Sequence, residues 1–466
     1  MGGDRVDVLL DEAGPVEPGP ERGRDRRALA LRALRRWWPA PVVLVAALVT
    51  GHLVAEQRAE AAAERLRGVD GVLASTVRPG LTARPWATPR AGMLVAQATR
   101  TTGGLLTLPW AGEAGAWDVV AVDARTGAEA WRAHLVDAAP DGAVRDVSCT
   151  ADADPATTLA CTAVTGVGDW RGWAAQLLRV DLADGAVTPL RDLPPGASAV
   201  VVDGAVVLVE PAVGSLVVTA TDLGTGAALP WRLELPDPVA DDGTRPWVEV
   251  VDGHVWVAGG RSTWSLAGAT GVLEGSGTSL FAARGGRVVD APGSSASRVL
   301  ADGQGVRTEG TPETVYPDDG SEPDLLLLRR YDGTSPTGFL RAVDAVTGVT
   351  AWERPLAVDV GSGLVVLDGV VYGAEGGTVW AVDLATGADR WTSAGGRGVG
   401  APLLSDGRAL LRGERDPEDG TPLLVAYGLG DGRRLWETPL PEGVEALRSD
   451  GGILRGWGED SVWVVE

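Results

Sequence analysis

From residue 81 to residue 466, short runs of Val and Leu alternate with Gly, Asp and Pro, and helical periodicity is almost absent. Evenly spaced short strands of this kind predict an all-β fold, which could be a sandwich, a barrel or a propeller. The N-terminal region differs. Residues 37–55 are apolar and carry no charge, and residues 56–67 are rich in Ala, Glu and Arg, which predicts a helix.

One phrase recurs along the strand-rich region. AVDARTGAEAW at residues 121–131 returns as AVDAVTGVTAW at 342–352 and as AVDLATGADRW at 381–391. Further copies place Asp181 and Asp222, and in degenerate form Ala267 and Gly428, at the position of the Asp. The clear intervals between copies are 39 to 45 residues. This period matches one four-stranded propeller blade of about 40–50 residues.

Each residue type in the phrase has a local structural use. The Asp carboxylate can accept backbone N–H bonds and close the hairpin, and the Gly permits a positive φ. The Trp follows on the outgoing strand, where its ring can fill the wedge between adjacent sheets. We therefore interpret the phrase as scaffolding. The structural repeat residues are Asp123, Gly127, Trp131, Asp222, Trp231, Asp344, Gly348, Trp352, Asp383, Gly387, Trp391 and Trp436.

The repeat resembles a known family, the pyrroloquinoline-quinone-like (quinoprotein-type) β-propeller repeat. GGTVWAVDLATGADRWTSAGG at residues 376–396 is the best match, and residues 398–413 look like the inner strands of the next blade. The resemblance covers residues 81–466 and implies a propeller, usually of eight blades. We expect eight, with seven to nine possible, because the marker near residue 302 lacks a Trp. The stretch from about 275 to 335 is then expected to be irregular.

The two ends of the propeller region predict how the ring closes. SVWVVE at residues 461–466 aligns with TVWAVD at 378–383, but the chain stops before an outgoing strand. LTARPWATP at residues 81–89 resembles that missing strand, with Trp86 in the Trp position. We expect residues 81–87 to pair with residues 461–466, which would remove a free sheet edge.

The N-terminal region predicts a membrane anchor. Residues 37–55 have nearly the length of a spanning helix, and an Arg-rich segment precedes them. The positive-inside rule then places residues 1–36, expected to be largely disordered, in the cytoplasm. We expect an uncleaved signal anchor at 37–55, a helical stalk at 56–80 and an extracytoplasmic propeller at 81–466. A cleaved signal peptide and a buried core helix are the alternatives.

Charge and residue usage narrow the chemistry. The net charge is -22, and a nucleic-acid partner is not expected because such proteins need a basic face. The chain has no Lys, so Schiff-base and P-loop chemistry are excluded, and it has no Asn. Its two cysteines, Cys149 and Cys161, can face each other across a hairpin. We expect a disulfide, with a reduced buried pair as the alternative.

The resemblance also bears on cofactors. Quinoprotein dehydrogenases of this family hold a quinone and calcium on the propeller axis, with an adjacent Cys pair and Glu, Asn and Asp ligands. Here Cys149 and Cys161 are not adjacent and Asn is absent, so we expect no quinone, no calcium and no catalytic or metal-binding residues. His134 and His254 are interpreted as surface residues. The acidic loops at 316–324 and 414–422 lack EF-hand spacing and are interpreted as solvated turns.

These observations lead to an expected function. We expect a non-catalytic, membrane-anchored scaffold with a monomeric ectodomain that binds another protein or a cell-envelope polymer. It resembles the non-enzymatic members of the family, among them a lipoprotein that scaffolds outer-membrane barrel assembly. The alternative is a quinoprotein-type oxidoreductase, or a sensor of a small ligand or sugar, that uses the central channel. Binding is expected on the loops at one end of the propeller or in that channel.

Overall fold

The computed structural model describes most of the chain after its N-terminal region. The described residues are 39–87, 98–101, 104–111, 116–137, 144–151, 156–166, 172–223, 225–236, 245–251, 253–260, 262–293, 296–301, 304–331, 337–357, 363–399, 402–458 and 461–466. The predicted cytoplasmic tail at 1–36 lies outside them, as do Trp37 and Trp38. The chain divides into two compact units, Met1–Ala61 and Ala62–Glu466.

One long helix, α1 (Pro39–Arg67), covers most of the predicted anchor and the first part of the predicted stalk. The run of Val, Leu and Ala followed by Ala, Glu and Arg explains why this segment is helical, since most of these residues have a favourable helix propensity. In the part of the chain that the structure describes, no helix combines the length and the apolar character needed to span a membrane.

The described residues of the second unit form nine β-sheets, each one blade of a propeller. Blade 1 contains β2 (Thr99–Arg100), β3 (Leu105–Ala111), β4 (Trp117–Asp123) and β5 (Glu129–Val136). Blade 2 contains β6 (Val144–Ala151), β7 (Thr158–Gly166), β8 (Ala174–Asp181) and β9 (Val187–Leu193). Blade 3 contains β10 (Ser198–Val202), β11 (Ala205–Ala212), β12 (Ser215–Asp222) and β13 (Ala228–Pro236).

The next three blades follow the same order. Blade 4 contains β14 (Trp247–Val251), β15 (His254–Gly259), β16 (Ser262–Ala267) and β17 (Val272–Gly277), with a 3₁₀ turn at Gly268–Thr270. Blade 5 contains β18 (Leu280–Ala283), β19 (Arg287–Gly293), β20 (Ala296–Ala301) and β21 (Gln304–Thr308), with a 3₁₀ turn at Arg284–Gly286. Blade 6 contains β22 (Thr311–Pro312), β24 (Leu325–Tyr331), β25 (Thr337–Asp344) and β26 (Thr350–Ala357).

The last three blades are more varied. Blade 7 contains β23 (Val315–Asp318), β27 (Leu364–Leu367), β28 (Val370–Glu375), β29 (Thr378–Asp383) and β30 (Asp389–Ala394). Blade 8 contains β31 (Arg397–Gly398), β32 (Leu404–Ser405), β33 (Ala409–Arg415), β34 (Pro422–Gly428) and β35 (Arg434–Pro439). Blade 9 contains β36 (Ala446–Asp450), β37 (Ile453–Trp457), β38 (Val462–Val465) and β1 (Ala83–Pro85).

The expected all-β propeller is therefore confirmed, and the nine blades of the described residues lie within the expected range of seven to nine, although the favoured count was eight. The stretch from about 275 to 335, expected to be irregular, contains all of blade 5, two strands of blade 6 (β22 and β24) and the first strand of blade 7 (β23). Blade 5 was discounted because it has no Trp. A sheet is held by its backbone hydrogen bonds, so strands β18 to β21 pair without that side chain, with one shift in register between Asp290 and Gly293.

Blade 9 combines the two ends of the propeller region. Strand β1 pairs antiparallel with β38, with Ala83 opposite Val465 and Pro85 opposite Trp463. The backbone of Thr82 adds a reciprocal pair of hydrogen bonds with Glu466 at 2.9 and 3.0 Å. The outermost strand of blade 9 thus comes from the N-terminal side of the ring, and the pairing covers the edge of β38.

The hydrophobic core is divided among the interfaces between blades. In the described residues, nine clusters of buried side chains each join two neighbouring sheets, and together they follow the whole ring. Val and Leu side chains occupy both faces of the strands, because every blade packs against a neighbour on each side. This explains why the core is divided among the interfaces. The first strand of each blade lies nearest the axis, where polar side chains can meet around a channel.

Candidate functional site in the central channel

The repeated Asp residues act as turn caps. One carboxylate oxygen of Asp123 accepts hydrogen bonds from the backbone N–H of Arg125 at 3.0 Å and of Thr126 at 2.7 Å, and from the Thr126 hydroxyl at 2.8 Å. The Thr126 hydrogen bonds are the main reason that the pKa of Asp123 lies below its ordinary value. The same hydrogen bonds recur in three other hairpins, where the backbone N–H and the hydroxyl of the Thr three residues later donate to the carboxylates of Asp222, Asp344 and Asp383.

The repeated Trp and Gly residues meet across blade boundaries. The indole ring on the outer strand of one blade lies over the hairpin glycine of the next blade, where a Cβ would collide with it. This holds for the pairs Trp86–Gly127, Trp131–Gly185, Trp231–Gly271, Trp352–Gly387 and Trp391–Gly432. Trp436 is partly buried in the cluster between blades 8 and 9. The predicted repeat residues are thus spread around the ring and do not form one site.

The two histidines are held by neighbouring acids. His134 lies between Asp118 at 2.9 Å and Asp137 at 3.1 Å, and the hydrogen bond with Asp118 is the main cause of its raised pKa. His254 was expected on the surface, but its side chain is only 16% exposed because it is enclosed by Glu274 and the carbonyl of Gly286.

The surroundings of His254 include a hydroxyl but no proton relay. Ser265 donates to the same Glu274 oxygen that His254 contacts, each at 2.7 Å. The carboxylate therefore stands between the hydroxyl and the imidazole. A nucleophile needs the base directly beside it, so this cluster is a polar support within blade 4.

The two acidic loops use their polar groups internally. The buried guanidinium of Arg284 forms an ion pair with Asp318 at 3.0 Å and donates to the carbonyls of Ser321, Glu322 and Leu325. In the second loop, Asp416 and Asp419 accept backbone N–H bonds at 2.7 and 2.8 Å. Among the described residues, no three His, Cys, Asp or Glu side chains are grouped as a metal site.

The two cysteines lie on the inner part of blade 2. Cys149 on β6 is directly opposite Cys161 on β7, and they form a disulfide. The strand register brings them together, because the hairpin between them is antiparallel. Cys161 is buried between blades 1 and 2, while Cys149 contributes to the wall of a cavity.

That cavity, here called the channel pocket, has a volume of about 650 Å³ and lies among blades 1 to 4. Its walls come mainly from the first strands of three blades, β6, β10 and β14, and from the residues before β14. The lining residues are Pro109, Val147, Ser148, Cys149, Thr162, Ser198, Ala199, Arg245, Pro246, Trp247, Val248 and Glu249.

The segment from Arg245 to Glu249 gives the channel pocket its chemistry. The side chain of Trp247 is 45% exposed, which is unusual for so large an apolar group. Arg245 donates from Nη2 to the carbonyl of Ala197 at 3.3 Å, and burial raises the pKa of Glu249. An aromatic face, a cation and a carboxyl group thus lie together, a combination suited to binding an amphipathic ligand.

Hydrogen bonds between blades hold the pocket wall in place. The Ser198 hydroxyl donates to the carbonyl of Pro246 at 2.8 Å, and the Thr162 hydroxyl donates to the carbonyl of Ala199 at 2.9 Å. Arg245, Trp247 and Glu249 were not predicted from the sequence, because the repeated phrase covers the third and outer strands of each blade and not the first. The tripeptide Arg-Pro-Trp at 245–247 runs into the inner strand β14, but the same tripeptide occurs at 84–86, so it does not single out a site.

A second feature of the propeller is the segment that follows α1. Residues 68–80 run across the inner turns of blades 8 and 9, where Leu73 and Ala74 donate backbone hydrogen bonds to the carbonyls of Ser405 and Gly452, each at 2.8 Å. Val77 donates to Asp406 at 3.0 Å. This part of the predicted stalk is therefore packed on the propeller.

The fold and the repeat together define a nine-bladed β-propeller built from quinoprotein-type repeats. Residues 336–462, from blade 6 to blade 9, match the family model described as outer membrane protein assembly factor BamB. No curated protein sequence matches the chain.

Several solved propellers are similar to the chain in fold. BamB from Moraxella catarrhalis is 17% identical, with 84% of this chain and 99% of that chain covered and a TM-score of 0.38. The β-propeller domain of the Trilobed protease from Pyrococcus furiosus is 13% identical, with 73% and 98% covered and a TM-score of 0.29. An oligogalacturonate lyase in complex with manganese is 14% identical, with 84% and 91% covered and a TM-score of 0.34.

Proposed function

We propose that this protein is a non-catalytic binding propeller whose channel pocket receives a segment of a protein partner. The observation that carries the proposal is the exposed indole of Trp247 beside Arg245 and Glu249. Trp and Arg are the residues most enriched among the energetic centres of protein interfaces. The family description matched by residues 336–462 names an assembly factor, which supports a protein partner.

The chemistry of the pocket suggests the features of the partner segment. An apolar or aromatic side chain would stack on Trp247, and a hydrogen-bond acceptor would meet Arg245. A cell-envelope polymer with apolar and polar groups is the other occupant that we propose to test.

The experiment compares three forms of the full-length chain in quantitative cross-linking and affinity capture from membranes. We expect Trp247→Ala to reduce recovery of the partner about tenfold or more, since interface centres contribute 2 kcal/mol or more. Tyr331→Ala is the matched control, because Tyr331 is also an exposed aromatic, at 38%, but lies outside the pocket. Equal recovery with Trp247→Ala, or no recovery above background with the wild type, would contradict the proposal.

We also propose that the propeller resides outside the cytoplasm and that residues 37–55 anchor it. The Cys149–Cys161 disulfide supports an oxidising compartment, and the Arg-rich segment before residue 37 supports this orientation. A reporter enzyme fused after Glu466, active only outside the cytoplasm, tests the location. A fusion that is expressed at full length but shows no reporter activity would contradict the orientation, and release of the protein by a high-salt wash would contradict the anchor.

The absence of quinone and calcium chemistry is likewise part of the proposal. The residues present do not match the set that quinoprotein dehydrogenases use, since the cysteines are 12 positions apart and the chain has no Asn. We expect no new visible absorbance band and no alcohol- or sugar-driven dye reduction when pyrroloquinoline quinone and calcium are added to the purified protein. A new band with dye reduction would favour the oxidoreductase.

A further inference from the structure

The interface between blades 5 and 6 lacks the Trp–Gly contact that is found at five other interfaces. The outer strands of blades 2 and 4 also contain no Trp. The hairpin glycine of blade 6 is Gly348, but blade 5 has no Trp on its outer strand β21 to cover it. The atoms nearest to a Cβ at Gly348 are instead the carbonyl oxygen of Arg307 and a methyl group of Val306. The wedge that an indole ring occupies elsewhere is therefore not filled by one here.

A cavity of about 690 Å³ lies at this position, here called the arginine groove. Its volume is within the range of about 300–1,000 Å³ typical of sites for small molecules. The lining residues are Asp290, Pro292, Ser297, Arg298, Arg307, Thr308, Glu309, Arg341, Gly348 and Thr350. The lining includes three arginines and two acids, and Arg341 also pairs with a third acid, Glu353, so Arg307 is the arginine of the groove that no described acid matches.

Two of the arginines are held by acids. Arg298 forms an ion pair at 3.0 Å with Asp290, a buried residue whose other oxygen accepts the backbone N–H of Thr278 at 3.1 Å. Arg341 pairs with Glu353 at 2.7 Å and with Glu309 at 3.2 Å. These contacts orient both guanidinium groups before any ligand arrives, which lowers the entropy cost of binding.

The third arginine, Arg307, has hydrogen-bond donors that no described residue uses. Arg307 is exposed, and within the described residues its side chain forms no ion pair or hydrogen bond. A guanidinium group presents donors in a planar fork that matches the two oxygens of a carboxylate or phosphate. Arg307 thus offers a free bidentate donor at the wall of a groove whose other arginines are already positioned.

We infer that the arginine groove binds a small anionic molecule through a carboxylate or phosphate group, with Arg307 as the direct contact. Arg298 and Arg341, held by their acidic partners, line the groove beside it, and the hydroxyls of Thr308 and Thr350 provide further polar groups. This site is separate from the channel pocket and does not depend on the proposed function. A ligand bound there would also bridge blades 5 and 6 and stabilise that interface.

The test is isothermal titration calorimetry on the full-length protein at low ionic strength, with citrate and glucose 6-phosphate as separate probes. We expect at least one probe to bind with a millimolar or lower Kd, and Arg307→Gln to weaken that binding about tenfold or more. Arg232→Gln is the matched control, because Arg232 is an exposed arginine on the outer strand of blade 3. Its Kd should equal that of the wild type.

Each result has a defined meaning. Binding of glucose 6-phosphate alone assigns the site to phosphate groups, and binding of citrate alone assigns it to carboxylates. Binding that weakens with added salt agrees with an ionic contact. If neither probe binds, or if Arg307→Gln binds as the wild type does, the inference is overturned. Circular dichroism and thermal unfolding of both variants separate lost binding from lost folding.

Discussion

The indole ring of Trp352 on the outer strand of blade 6 covers the hairpin glycine Gly387 of blade 7. The indole Nε1 donates a hydrogen bond to the carbonyl of Leu384, at the start of the same hairpin, at 2.7 Å. One side chain therefore joins two blades through apolar contact and a hydrogen bond. The contact between ring and glycine recurs at four other interfaces, and the Trp391 indole makes an equivalent hydrogen bond to the carbonyl of Leu429 at 2.9 Å, so these side chains contribute to the lateral cohesion of the propeller.

This contact predicts a large cost for Gly387→Ala. The backbone φ of +69° disfavours alanine, and the new Cβ would lie 2.6 Å from the Trp352 ring, so we expect a loss of about 2–4 kcal/mol in the free energy of unfolding. Gly226→Ala is the matched control, with a φ of +70° and no described atom within 4 Å of its Cβ. It should lose only about 1–2 kcal/mol. Equal losses in urea unfolding would show that the ring contact adds nothing.

The position of Trp86 at the closure of the ring allows a prediction of how much closure contributes to the free energy of unfolding. This residue is 2% exposed, lies against Gly127 and has the Arg455 guanidinium 4.4 Å above its ring. We expect Trp86→Ala to lower the unfolding free energy by about 3–5 kcal/mol, because a large buried ring is lost. Trp247→Ala, which removes a 45% exposed indole, should cost less than about 1 kcal/mol. Similar losses for the two variants in chemical denaturation would contradict this assignment.

The turn cap at Asp123 predicts a pH dependence. Hydrogen bonds from Thr126 lower the pKa of Asp123 below its ordinary value of 3.8, so the folded state favours the carboxylate. The stabilisation is complete above that value and is lost as the pH falls through the lower folded-state pKa. We expect Asp123→Ala to cost about 1 kcal/mol at pH 7 and less as the pH falls below 4. Denaturation of both proteins at several pH values measures this. A difference that does not change with pH would refute the cap.

The disulfide predicts sensitivity to reductant. The loop between Cys149 and Cys161 is short, and a cross-link of this size contributes about 2–4 kcal/mol. We expect dithiothreitol to lower the unfolding free energy of the wild type by that amount. The double variant Cys149→Ser and Cys161→Ser should be less stable and should not respond to reductant. A wild type that mass spectrometry shows to be reduced, yet equally stable, would be inconsistent with a stabilising disulfide.

The residues whose roles are local could be predicted from the sequence. Asp123 and Gly127 shape a turn of a few residues, and their spacing to Trp131 records the geometry of one hairpin. The quinoprotein-type repeat was identified from such spacing, and it predicted the propeller correctly. The number of blades was harder to predict, because blade 5 keeps its backbone pairing but lacks the side chains of the repeated phrase.

The candidate sites could not be predicted from the sequence in the same way. The channel pocket brings Cys149, Ser198 and Trp247 together from three blades, although they are far apart along the chain. The first hairpin of several blades carries an Asp-Gly pair, at 203–204, 252–253, 368–369, 406–407 and 450–451, but this pattern marks the turn and not the side chains that line the pocket. His254 shows the same limit, since its burial depends on Glu274 and on Gly286 from the following blade.

The sequence by itself determined the strand content, the period of the blades and the role of the Asp and Gly in each hairpin, because these depend on interactions within about ten residues. Only the tertiary structure decided that nine blades close the ring, that Trp247 stands exposed in a channel pocket, and that a missing indole leaves the arginine groove beside Gly348. The reason is physical. Closure and cavities depend on how neighbouring sheets pack, and that packing joins residues whose separation along the chain carries no periodic signal.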